Sequence, residues 1–179
     1  MTTSSWARRA TSSAAFALLA ACGGPGGAAP ADHLGVSTGE IHAPVDFSFD
    51  SLDDRAVSSE ATRGKPTVIA FVDTGSLPAQ AQVDFLVAMA KHDADSVNYA
   101  VVALERRENR ELVELYRKSL GIPFPVALAD DATTAGGGPF GDVTAVPVTV
   151  VLDRAGRVVA RVAGRVVKSA EIREALRGM

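Results

Sequence analysis

Six consecutive residues, Thr67-Val68-Ile69-Ala70-Phe71-Val72, stand between Gly64-Lys65-Pro66 and Asp73 with no charge among them. A run this short and this apolar fits a parallel strand buried on both faces. Such a strand needs packing layers above and below it and helical crossovers to its neighbours, so an α/β chain is expected.

The rest of the sequence supplies those parts. Val45, Phe47 and Phe49 alternate with polar residues, and Asp53-Asp54 can turn the chain back around Val57, which predicts an N-terminal β-hairpin. A helix is expected from about Pro78 to His92, capped by Ser76, with proline tolerated in its first turn. Val97 to Leu104 reads as another buried strand. Leu112, Leu115, Tyr116 and Leu120 share one face of a helix beginning near Glu108. On its other face Arg107–Glu111, Arg110–Glu114 and Glu114–Lys118 are spaced to pair. Gly121 ends that helix, Pro123 and Pro125 hold the chain extended, and Val126-Ala127-Leu128 makes a short strand. The Gly-rich stretch from Ala135 to Gly141 leads to a strand ending at Leu152. Asp153-Arg154-Ala155-Gly156 turns it into an antiparallel return over Arg157 to Ala163. Ser169 is expected to cap a last helix with Glu171 in its first turn. The predicted architecture is a three-layer α/β sandwich with a mixed central sheet.

The first 21 residues read as a leader. Arg8 and Arg9 give a positive start, Ala14 to Ala21 are apolar, and small residues precede Cys22. Twin arginines are also an export signal, but Ala10 and Thr11 follow where apolar residues are expected. The apolar stretch is too short to span a bilayer, which takes about 20 residues. Leu19-Ala20-Ala21-Cys22 resembles the bacterial lipobox, which implies that Cys22 becomes the first mature residue and is acylated. An ordinary signal peptide cleaved nearby is the alternative. Acyl chains contribute roughly 0.8 kcal/mol per buried methylene, so more than one gives a stable membrane anchor. Residues 22–39, opening Cys22-Gly23-Gly24-Pro25-Gly26-Gly27, read as a flexible tether with a reach of roughly 20 Å, and 40–179 as one domain. By resemblance to lipoprotein sorting patterns, Gly23 favours the outer membrane, with the domain facing the periplasm. Loss of Arg8 and Arg9 with the leader takes the formal charge from −3 to −5. No basic patch interleaved with aromatics appears, so no nucleic-acid partner is expected.

Gly64-Lys65-Pro66-Thr67-Val68-Ile69-Ala70-Phe71, then Thr74 and Pro78, Ala145-Val146-Pro147-Val148-Thr149, and Leu152-Asp153-Arg154-Ala155-Gly156-Arg157-Val158-Val159 together resemble the TlpA-like thioredoxin-fold proteins of the redoxin (AhpC-TSA) superfamily. The resemblance covers roughly Pro44 to Leu176. It implies thiol-disulfide chemistry at a Cys-Gly-Pro-Cys motif opening the helix after the central strand. This chain has Ser76-Leu77-Pro78-Ala79 at those positions, so Ser76 and Ala79 replace the two cysteines. The flanking tryptophans of the family are Val72 and Gly75, and Ala70 stands where thioredoxins proper carry a buried acid. A helix N-terminus activates the first cysteine by lowering its pKa, but a serine hydroxyl is far less acidic and forms no disulfide. The resemblance also implies a cis bond before Pro147, with Val146 offering its N–H and C=O to an extended chain. Gly75, Ser76, Leu77, Pro78, Val146 and Pro147 are then a candidate peptide groove of the strand-addition kind. A proline that only shapes the strand entrance is the competing reading.

Other chemistries find little support in the residues. Ser76 as a nucleophile would need a base within hydrogen-bond reach, and the sequence places no histidine near it. His33, His42 and His92 have no recognised ligand spacing, and no metal or other cofactor is expected. Asp130-Asp131 reads as a solvated loop. Gly136-Gly137-Gly138 lacks the following Lys-Ser/Thr of a phosphate loop, so no nucleotide is expected. Peroxide reduction needs a cysteine between Asp73 and Phe85, and none is there. The expected protein is therefore a lipid-anchored, redox-inactive envelope protein that binds a peptide or protein partner. The alternatives are an oxidoreductase or peroxide-reducing redoxin acting by a non-standard route, and a structural or assembly factor of the envelope.

Overall fold

The computed structural model describes residues 43–179. The leader, Cys22, the 22–39 tether, His33 and His42 lie outside the described residues.

The run that opened the sequence reading is the centre of the sheet. Strand β3 (Thr67–Val72) is buried at all six positions and pairs in parallel with β4 (Asn98–Ala103) on one side. On its other side it pairs antiparallel with β6 (Val148–Leu152). Outward from β4 come β5 (Val126–Leu128), parallel to it, and then the hairpin of β1 (Ser48–Ser51) and β2 (Val57–Ser58), with β1 antiparallel to β5. Outward from β6 comes β7 (Val158–Ala163), which completes a seven-stranded mixed sheet of order β2-β1-β5-β4-β3-β6-β7. The β6–β7 turn is closed by Asp153, whose Oδ1 accepts the N–H groups of Ala155 and Arg157, with Gly156 at φ +83°. That positive φ suits glycine alone among common residues.

Three helices cover one face. Helix α2 (Leu77–Asp93) buries Ala79, Gln82, Val83, Leu86, Met89 and Ala90, a stripe at helical spacing. Gln82 is the polar member of that stripe, and its amide is satisfied at both ends: Nε2 donates to the Val167 carbonyl (3.3 Å) and Oε1 accepts the Val167 N–H (2.6 Å). This two-point bond ties α2 to the segment entering α5 (Ser169–Leu176). Helix α3 (Arg110–Ser119) follows a 3₁₀ turn at Arg107–Asn109.

Of the expected α3 face Tyr116 is buried and Leu120 packs against the core, but Leu112 and Leu115 are 47% and 65% exposed, and Val113 takes the buried place beside Tyr116. Two arginines set the rotation. Arg110 reaches the Ser51 carbonyl (2.6 Å) and Asp50 (3.3 Å), and Arg117 pairs with Asp53 (2.8 Å), so the 110/113/117 edge lies toward the hairpin. None of the three predicted pairs on this helix forms a salt bridge, and Arg110 reaches Asp50 of the hairpin rather than Glu114. At α5 the N-cap is Lys168 rather than Ser169, and the Glu171 carboxylate accepts the Lys168 N–H (3.1 Å).

The opposite face has no long helix. A short turn, α1 (Ser59–Thr62), follows the hairpin, and α4 (Asp131–Thr134) follows β5. The loop beyond α4 lays Phe140 and Val143 against Phe47, Phe49, Ile69, Phe71 and Val150. The third layer of the sandwich is thus mostly loop. Phe140 sits 5.1 Å from Phe47 and 5.3 Å from Phe71 between ring centroids, in the range where tilted and edge-on aromatic pairs are favourable. Arg161 donates to the carbonyls of Phe140 and Asp142, which holds the loop to β7. Gly138 is required by space: a Cβ there would stand 2.3 Å from the Thr133 hydroxyl. Among the described residues no helix is long and apolar enough to cross a membrane.

Candidate functional site

Strand β3 ends at Val72, and its antiparallel partner β6 begins at Val148 opposite Phe71. That register puts the Val146–Pro147 bond, which is cis, at the same sheet end as the loop leading into α2. Gly75 to Pro78 and Val146-Pro147, far apart in sequence, therefore share one end of the sheet.

Asp73 shapes the loop. Its Oδ1 accepts the Gly75 N–H (2.7 Å), an Asx-turn, and its carbonyl accepts the Ser76 N–H (3.3 Å). A Cβ at Gly75 would lie 3.3 Å from that same Oδ1, so a bulky residue would crowd the turn. Thr74 is fastened to the end of the neighbouring strand, its hydroxyl donating to Glu105 Oε1 (2.5 Å) and its N–H reaching the same oxygen (3.3 Å). Asn109 donates to the other Glu105 oxygen (3.4 Å). Glu105 was not singled out from sequence. The available signal was positional: Glu105 stands two residues past β4 as Thr74 stands two past β3, and parallel strands bring such residues to one edge.

Ser76 is the N-cap of α2, in extended backbone, its Oγ accepting the Ala79 N–H (3.4 Å). Its hydroxyl oxygen is thereby committed as an acceptor for one of the helix's free N–H groups. Among the described residues the one histidine, His92, lies sixteen positions along the same helix, or about 24 Å. No imidazole is thus placed to act as a base for Ser76. Ala79 is fully buried in the helix-side core. Leu77, between them, is 78% exposed, the most exposed of the large apolar side chains described.

Val146 is half-buried and Pro147 buried. The expectation that Val146 offers both backbone groups needs correction: its N–H already donates to the Thr144 carbonyl (3.1 Å). The neighbouring carbonyls of Ala145 and Pro147 both accept the Gly164 N–H (2.6 and 3.1 Å), while among the described residues the Val146 carbonyl accepts no bond. Strand addition could use that carbonyl but not, without rearrangement, the N–H.

Beside Glu105 a cleft of about 830 Å³ opens at the ends of β4 and β5, lined by Glu105, Arg106, Arg107, Glu108, Asp130 and Asp131 among others. Asp130 is not free there, since its Oδ1 caps α4 through the Thr133 N–H (2.7 Å). Tyr116 carries a hydroxyl pushed up to about 12, by burial first and then by Asp84 and Asp73. Asp142 is held below the usual carboxylate range by the hydroxyl and N–H of Thr144. Among the described residues no group of three or more His, Cys, Asp or Glu could hold a metal ion.

The fold matches solved structures. A DsbF homologue from Corynebacterium diphtheriae superposes with a TM-score of 0.66 at 20% identity, covering 78% of this chain and 88% of that one. The chain has the thioredoxin-like fold. A thiol:disulfide interchange protein of Chlorobium tepidum TLS gives 0.63 at 23% identity (77% and 95% covered). A secreted thiol-disulfide isomerase from Corynebacterium glutamicum gives 0.62 at 17% identity (73% and 81% covered). No family model matches the chain, and neither does any curated protein. This thioredoxin-like chain departs from the cysteine-pair motif at the helix start, since its single cysteine is Cys22.

Proposed function

We propose that this is a redox-inactive thioredoxin-like protein of the bacterial envelope that binds a peptide or protein partner at the start of α2. The observation that carries the reading is the pair Ser76 and Ala79. The first is spent as a helix cap and the second is a buried methyl, so neither position supplies a sulfur for a mixed disulfide. What remains at that end of the sheet is a binding surface: Leu77 stands in solvent, and the Val146 carbonyl is without a bond among the described residues. An exposed leucine and an open backbone acceptor at the same end of the sheet suit an extended segment with a small apolar side chain.

The envelope location rests on Arg8-Arg9, the apolar stretch and Leu19-Ala20-Ala21-Cys22, with Cys22 as the lipid attachment point and the domain facing the periplasm. The C. glutamicum neighbour is a secreted protein, which supports this reading. Outer-membrane residence, from Gly23, is part of the same proposal.

The test is twofold. The purified protein should reduce insulin disulfides and turn over peroxide no faster than a no-protein control; either activity would sink the proposal in favour of the oxidoreductase alternative. A photoreactive amino acid at Leu77 should capture a discrete partner in the native envelope, whereas one at Leu115, on the outer face of α3, should not. Capture at Leu115 and not at Leu77 would favour an assembly factor that uses another surface.

A further inference from the structure

Between α5 and the outer strands lies a groove of about 620 Å³ that the partner-binding reading does not use. Its walls are Val159 and Val162 of β7 and the α5 face carrying Ile172 and Ala175. On the helix side Ala170 and Ala175 present only methyls beside the buried Ile172, which leaves room over the half-buried β7 valines. Apolar interiors are normally close-packed, and a recess of this volume falls in the range of small-molecule sites.

Two observations specify what it would hold. Thr149, on β6, lines the groove; it is 2% exposed, and its hydroxyl has no hydrogen-bond partner among the described residues. A buried hydroxyl without a partner is uncommon and calls for an occupant with an oxygen to meet it. The charged groups at the rim are already compensated. Glu171 is bound by Arg165 (2.7 Å) and the Lys168 N–H (3.1 Å), and Glu174 pairs with Arg177. Each of these rim charges has a partner of its own, and an ionised group pressed against the apolar walls would lose water without gaining a counter-ion there.

We infer that the groove binds a neutral, mainly hydrocarbon small molecule carrying one hydroxyl, ether or carbonyl oxygen. Its body lies along Val159, Val162 and Ala175, and its oxygen accepts the Thr149 hydroxyl after a turn about χ1. The site is separate from the reading of Ser76 and Leu77 and stands or falls without it.

The probe is the neutral dye N-phenyl-1-naphthylamine, bound to the full-length chain and displaced by decan-1-ol, n-decane or decanoate. Decan-1-ol should displace the dye, with decanoate at least tenfold less effective. Thr149→Val, near-isosteric but lacking the hydroxyl, should weaken decan-1-ol about five- to tenfold and leave n-decane unchanged. Ala175→Leu, which fills the groove from the helix side, should abolish dye binding while circular dichroism stays native. Absence of displacement by decan-1-ol overturns the inference, as does equal binding by Thr149→Val or full dye binding by Ala175→Leu. Should Ala175→Leu fail to fold, the Thr149→Val comparison of alcohol against alkane decides alone.

Discussion

The two faces of the central sheet are covered by different means. On one, α2, α3 and α5 close their own backbone hydrogen bonds and lay aliphatic side chains such as Val83, Leu86, Met89 and Ile172 on the strands. On the other, Phe47, Phe49, Phe71 and Phe140 form an aromatic cluster beneath a loop of short turns that Arg161 ties to β7 through the carbonyls of Phe140 and Asp142. A helix carries its own order with it, whereas a loop is ordered by whatever it touches. The loop face should therefore fail locally and the helical face cooperatively.

Five substitutions and one titration would break or sharpen that contrast, the largest effect first. Phe140→Ala removes a ring that is 4% exposed and should cost about 3–5 kcal/mol in denaturant unfolding, with early loss of amide protection across residues 135–147. Met89→Ala, fully buried on the helical face, should cost about 2–5 kcal/mol without that local signature. Equal protection of the loop in both variants would refute the contrast. Gly138→Ala drives a methyl against Thr133 and should cost roughly 1–3 kcal/mol, again with faster exchange confined to the loop.

Ser76→Ala removes the cap of α2 and should cost about 1 kcal/mol, read as faster exchange of the first α2 amides and a lower midpoint. Acidification comes next. Asp53 is held below the usual range by its hydrogen bond from Arg55, opposed by burial and aided by Arg117. Asp153 is also lowered: burial opposes, but the backbone and guanidinium of Arg157 prevail. Glu171 is lowered by Arg165 in the same way. Each folded-state value lies below its unfolded one, near 3.9 for Asp and about 4.3 for Glu. The stabilisation is therefore complete above about pH 5 and fades as pH falls through the unfolded and then the folded values. Urea midpoints should hold steady from pH 7 to 5 and drop below about pH 4; a fall beginning near pH 6 would point to other groups. The smallest effect is Leu115→Ala, expected within about 0.5 kcal/mol because the side chain lies in solvent, whereas the face predicted from sequence would make it a core residue.

How far the sequence can be read follows from the range of the forces involved. The apolar run at 67–72, the cap at Ser76 and the turn at 153–156 are local, and each appears where its residues place it. In helix α3 the apolar Leu112, Val113, Leu115, Tyr116 and Leu120 spread too far round for periodicity to fix the rotation, and Tyr116 of the expected face is buried beside Val113 rather than beside Leu112 and Leu115. The arginine bonds to Ser51, Asp50 and Asp53 set that rotation, across more than fifty residues of chain. At the candidate site the helix start was legible, but Glu105 binding Thr74 required the β3–β4 pairing, and the engaged N–H of Val146 required the actual path of residues 144–147.

The sequence by itself determined the order of strands and helices and the absence of a thiol from residues 43–179, because burial patterns, caps and residue identity act over a few positions. Only the tertiary structure decided which α3 residues are buried, how Gln82 meets Val167 85 residues away, and where α5 leaves a groove beside Thr149. Those outcomes depend on which surfaces meet. A chain specifies that through the sum of all its contacts rather than through any one segment.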